Sequence, residues 1–116
     1  GSIVLTSGVL AQRPGKGSTA LAIANAGLET AAKGLANDLG PRIRVNVLSP
    51  GLTDTEIWDS MPAAQKEGML KGFGSTLPLG RSGEADDMGH AILFLLSSSY
   101  VTGLTIQVDG GALIRP

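Results

Sequence analysis

The sequence predicts an α/β fold of about three parallel strands flanked by helices, and three observations point there. Strand-like and helix-like stretches alternate along the chain, the pattern of parallel strands joined by right-handed crossovers. The first strand-like run, Ile3-Val4-Leu5-Thr6, is uninterrupted rather than alternating, as suits a strand buried on both faces. Glycine and proline gather at the junctions, as Gly40-Pro41, Pro50-Gly51 and Gly110-Gly111.

Taken in order, Ile3–Thr6 ends at Ser7-Gly8, and Leu10–Gly17 is loop. Residues 18–39 predict a long helix capped by Ser18 or Thr19. Leu21, Leu28, Leu35 and Leu39 mark its apolar face, with Glu29 and Lys33 paired one turn apart. Small residues such as Ala22, Ala24 and Ala32 leave a smooth flank for close approach. Gly40-Pro41 ends the helix.

Ile43–Ser49 predicts the central strand, because Ile43, Val45, Val47 and Leu48 favour a packed pleat. Pro50 cannot donate to a ladder and Gly51 permits a turn, so a loop opens at the carboxyl end of this strand. In open parallel sheets ligands bind at that edge. Residues 54–75 form a long connection, expected to be a lid, with a short helix over about 61–73 capped by Ser60. A second helix over about 84–97 follows, with Ser82 as cap and Ala85, Met88, Ile92, Leu95 and Leu96 facing inward. Thr105–Asp109 is the last strand.

Composition narrows the function. A chain of 116 residues suits one small domain. Aromatics are only 3%, so the core is aliphatic and alanine-rich. A net charge of −1 with no basic stripe gives nucleic-acid binding no electrostatic support. With no cysteine and one histidine, no metal site is expected. The longest apolar run, Ala91–Leu96, is too short to span a membrane, and no signal peptide is visible, so a cytoplasmic location is expected.

Taken together, these residues are similar to the C-terminal half of the short-chain dehydrogenase/reductase family. The segments that carry the resemblance are Gly1–Ser7, Leu28-Glu29 through Leu35-Ala36, Ile43–Asn46, Ser49-Pro50-Gly51 with Thr55, Leu79-Gly80-Arg81, Phe94–Ser97, and Tyr100–Gly103 through Val108–Gly111. Each is weak alone, and their order and spacing are specific together.

The resemblance implies part of a Rossmann-type doubly wound parallel sheet, one partial domain over 1–116, and a dinucleotide cofactor, NAD or NADP. It implies oxidation of alcohols or reduction of carbonyls or imines on a small-molecule substrate. Pro50, Gly51, the Thr53 backbone and Thr55 correspond to the loop over the nicotinamide and pyrophosphate. The family's glycine-rich turn for the adenosine end has no counterpart here. The Tyr-x-x-x-Lys pair falls on Leu21 and Asn25, and the family's serine falls on Gly8. No catalytic residue is therefore assigned. Leucine transfers no proton and glycine offers no hydroxyl, while Asn25 can still hydrogen-bond a ribose. A pocket lined by Gly8, Leu21 and Trp58 is expected to be apolar. Expected partners are a second copy of the chain or a complementary N-terminal half. An inactive pseudoenzyme working through protein contacts is the alternative.

Among the remaining polar residues, Asn46 is expected to be structural, Arg44 to pair with an acid such as Asp38, and His90 to be solvated. Tyr100 and Asp109-Gly110-Gly111 are expected in turns.

Overall fold

The structure, a computed structural model, describes residues 1–116. Strand β1 (Ser2–Thr6) is followed by a 3-10 turn over Val9–Ala11 and the long helix α1 (Thr19–Leu39). Strand β2 (Arg44–Pro50) leads to a short strand β3 (Thr53–Asp54), a 3-10 turn over Glu56–Trp58 and helix α2 (Ala63–Gly74). Then come β4 (Gly83–Glu84), α3 (Ala85–Ser97) and β5 (Thr105–Val108).

The main sheet is parallel with order β1-β2-β5, so β2 is central. Leu5 registers with Val47, and Leu48 with Ile106. Val45, Asn46, Val47, Leu48 and Ser49 are all buried, as a strand covered on both faces requires. Helix α1 packs Ala32, Ala36 and Leu39 against Val45 and Val47. Helix α3 packs across all three strands.

Only part of the leucine stripe faces the sheet: Leu28 and Leu39 are half-buried, and Leu39 packs on the core. Leu21 is 53% exposed and Leu35 39%, whereas Ala22 and Ala32 are the buried residues of the helix. The alanine flank wins because a helix without long side chains can sit closer to the sheet. Gly40 closes α1 in extended rather than left-handed backbone. Its small size matters instead, since a Cβ there would come 3.1 Å from the Ala36 carbonyl oxygen.

Residues 54–75 hold more structure than one short helix. Strand β3 pairs in parallel with β4, tying the base of the connection to the start of α3. Pro62, not Ser60, stands at the cap position of α2. At α3 the capping residue is Glu84 rather than Ser82. Its carboxylate accepts from the Asp87 backbone N–H, and Asp87 accepts from the Glu84 N–H at 2.8 Å. The inner face of α3 is Met88, Ala91, Ile92 and Leu95; Ala85 and Leu96 are exposed.

Two side chains of β2 fix the α3–β5 connection. Asn46 is fully buried, donates to the Val101 carbonyl at 2.9 Å and accepts from the Leu104 N–H at 3.0 Å, the structural role expected of it. Arg44 does not pair with Asp38. Its guanidinium donates to the carbonyls of Leu95 (2.8 Å) and Leu96 (2.9 Å), in the last turn of α3, and to that of Val101 (3.3 Å) in the connection beyond it. His90 and Tyr100 are exposed.

Candidate functional site

The carboxyl end of β2 delivers the chain into a tight turn. The Gly51 N–H donates to the Val108 carbonyl at 3.0 Å, which seats the turn on β5. A Cβ on Gly51 would stand 2.8 Å from Asp109 Cα, closer than any side chain tolerates, so only glycine fits. Thr53 is buried and its hydroxyl donates to the Gly51 carbonyl at 2.9 Å, stiffening the turn from within. The Trp58 indole N–H donates to the Thr53 carbonyl at 3.0 Å and folds the 3-10 turn back over the loop.

These contacts wall a cavity of about 470 Å³. Pro50, Gly51, Thr53 and Thr55 all line it, together with Leu48, Trp58, Met88 and Ile92. The volume falls within the roughly 300–1,000 Å³ usual for small-molecule sites, and the walls are mostly apolar with a few polar groups, as such sites are. Thr55 is extended and its side chain caps no helix end, so its hydroxyl is not committed to the 3-10 turn behind it.

Asn25 is not brought into this cavity. It lies on α1, half-buried, with Nδ2 3.1 Å from where a Cβ on Gly8 would stand. Gly8 itself is close to the cavity, since that Cβ would be 3.9 Å from the Pro50 carbonyl oxygen. The expected grouping of Gly8, Leu21 and Trp58 around one pocket does not form. Trp58 lines the cavity, while Leu21 projects from the exposed side of α1.

Glu29 also departs from expectation. Instead of pairing with Lys33 it accepts from Ser7 Oγ and Gln12 Nε2, both at 2.6 Å. Two donors on the loop after β1 reach the carboxylate from a fixed backbone, whereas a lysine on the helix surface is better left in water. Sequence reasoning missed this clamp. The available signal was position, since Glu29 follows Asn25 by one turn on the same helix face.

The charged pairs of this region lie outside the cavity lining. Lys66 of α2 reaches Asp59 at 2.8 Å and Asp54 at 3.2 Å, the two acids that bracket Thr55. The hydrogen bonds it donates to Asp59 and then to Asp54 raise the Lys66 pKa above its ordinary value. Arg81 meets Asp87 at 2.8 Å. The Arg81 hydrogen bond, helped by the Glu84 N–H, lowers Asp87 to about 2.

Residues 1–112 match the family model described as enoyl-(acyl carrier protein) reductase. The chain is 39% identical over 114 residues to the 3-oxoacyl-(acyl-carrier-protein) reductase FabG of Pseudomonas aeruginosa, covering 96% of this chain and 44% of that protein. A small-chain dehydrogenase crystallised in complex with NADPH superposes with a TM-score of 0.93 at 46% identity, over 98% of this chain and 52% of that one. An NADPH-bound short chain oxidoreductase of Pseudomonas aeruginosa PAO1, described as containing an atypical catalytic center, gives 0.82 at 30% identity, over 99% of this chain and 47% of that one. The chain thus spans about half the length of the proteins it matches.

Proposed function

Because the chain belongs to the short-chain dehydrogenase/reductase family, we propose that it forms the nicotinamide side of an NAD(P)-dependent oxidoreductase acting on a small, hydrophobic carbonyl, alcohol or imine. The observation that carries this reading is the single cavity lined by Pro50, Gly51, Thr53 and Thr55 at the carboxyl end of β2. The residues fit a nicotinamide. Gly51 presents backbone with no side chain, Thr55 has an uncommitted hydroxyl, and Trp58 and Met88 give apolar walls. A bound nicotinamide dinucleotide supplies or accepts hydride. The chain's own residues would orient it: Pro50 and Gly51 against one side, Thr55 and the Thr53 backbone at its polar groups, and Asn25 toward the ribose from α1.

None of Gly8, Leu21 and Asn25 can move a proton, so the reading favours an acceptor that is already activated, such as an iminium. Holding such an acceptor against the hydride donor can supply much of the rate. The NADPH-bound relative with an atypical catalytic center supports a family member working away from the usual residues.

A second reading is a nicotinamide-binding module without turnover that acts through a partner. Only 14 of the 116 residues are buried, and Leu21, Ile23, Leu93 and Phe94 are exposed. The radius of gyration is 15.2 Å, above the roughly 13 Å of a compact domain this size. That surface suits a complementary half or a second copy.

The test is calorimetry with NADPH, NADH and reduced nicotinamide mononucleotide. The reading predicts binding of all three within about threefold, because this chain offers nothing to an adenosine end. No binding of any of them overturns it. Turnover of aldehydes or cyclic imines by the loaded chain then selects the first reading, and binding without turnover the second.

A further inference from the structure

A second cavity, of about 270 Å³, opens between the 3-10 turn after β1, the end of α2 and the turn after β5. Val9, Leu10, Phe73 and Leu113 give it apolar walls, and Arg13 and Arg115 give it charge. No carboxylate lines it, and neither arginine takes part in any of the four ion pairs of the chain. Arg13 Nη1 donates to the carbonyls of Ala112 (3.1 Å) and Arg115 (3.0 Å), which brings the two guanidinium-bearing residues together. The Arg115 guanidinium lies 5.0 Å over the Phe73 ring, and its Nε–H is buried with no hydrogen-bond partner.

Two arginines share this lining with no acid among its residues, and a buried unpartnered N–H on a cation is unfavourable. Both deficits are met by one ligand, a small organic anion whose planar oxygens face the guanidinium and whose apolar part rests on Phe73 and Leu113. Gly8, where a Cβ would stand 3.9 Å from the Pro50 carbonyl oxygen, directly precedes Val9, so a short stretch of chain links the lining of the first cavity to that of the second.

We propose that this cavity is the anchor for an acid group on the substrate, a carboxylate or a phosphate ester on an apolar body, with Arg115 as the specificity-determining residue. Calling the ligand a substrate rests on the oxidoreductase reading; the anion site itself does not. Leu113 and Phe73 would set how bulky the apolar body can be.

The test is calorimetry on the chain without any dinucleotide, using 3-phenylpropionate, phenyl phosphate and the neutral 3-phenylpropionamide. The expected result is that at least one anion binds about tenfold tighter than the amide, the value of a charge-assisted hydrogen bond. Arg115→Gln should remove that preference and Arg115→Lys should restore part of it. Arg115 is the variant of choice because its side chain, unlike that of Arg13, holds no backbone carbonyl. Equal binding of anion and amide, no binding of any probe, or an unchanged preference in Arg115→Gln overturns the proposal. Anion preference in a chain that binds no nicotinamide keeps the site and removes only its link to the redox reading; nicotinamide binding without anion preference does the reverse.

Discussion

Asn25 stands in the space a side chain on Gly8 would need, with its Nδ2 3.1 Å from the position of a Cβ there. Gly8 and Asn25, onto which the family resemblance carries a serine and a lysine, are therefore packed against each other. Gly8→Ser alone should be destabilising by about 0.5–1 kcal/mol, and most of that should vanish when Asn25→Ala is added. A double-mutant cycle by urea denaturation reads the coupling. Strict additivity would show that the contact is incidental.

Arg44 closes the carboxyl end of α3 with two hydrogen bonds to its last-turn carbonyls and a third to Val101 in the connection that follows. Arg44→Ala should lower stability by about 2–3 kcal/mol, since several charge-assisted bonds go at once. Arg44→Lys should recover less than half, lacking the planar fork. Thermal denaturation followed by circular dichroism measures both, and an unchanged midpoint for Arg44→Ala would contradict this role.

Asn46, itself fully buried, satisfies the Val101 carbonyl and the Leu104 N–H. Asn46→Leu should therefore cost about 1–3 kcal/mol although leucine suits a strand core, because the Leu104 N–H loses its partner and the Val101 carbonyl keeps only Arg44. Hydrogen exchange should accelerate at the Leu104 amide first. Exchange that stays slow there would mean that the amide has another acceptor.

Asp87 has a folded pKa of about 2 against an ordinary value of 3.8, set by Arg81 and then the Glu84 N–H. A lowered carboxylate pKa stabilises the folded chain above 3.8, and that contribution is lost as pH falls toward about 2. Asp87→Asn should flatten the acid side of the stability profile between those values and leave its shape near neutrality unchanged. A profile with the same acid slope in the variant would assign the transition to other carboxylates.

Much of the sheet was legible because strand chemistry is local. The aliphatic run of Ile3–Leu5, the β-branched pattern of Ile43–Val47 and the Pro50-Gly51 break each name their element without a partner. The loop over the cavity was legible for the same reason: Pro50, Gly51, Thr53 and Thr55 are adjacent in sequence and need only one turn to meet. What stayed hidden depends on which distant group arrives first. Glu29 has Lys33 within its own helix, yet its carboxylate takes Ser7 and Gln12 from another loop. Ser82 looks like a cap, yet Glu84 and Asp87 form a reciprocal pair that serves two backbone groups. The arginine-lined cavity joins Arg13 to residues 99 and 102 positions away, and no local pattern encodes that.

The chain has a single tryptophan, and it lines the cavity assigned to the nicotinamide. Titrating reduced nicotinamide mononucleotide while following Trp58 emission therefore tests the central claim most directly. The account predicts saturable quenching of Trp58 that oxidised nicotinamide mononucleotide competes away and that Thr55→Val weakens by roughly tenfold, the worth of one hydrogen bond. Emission that falls only linearly with added nucleotide, or a Thr55→Val curve identical to that of the unsubstituted chain, would contradict it.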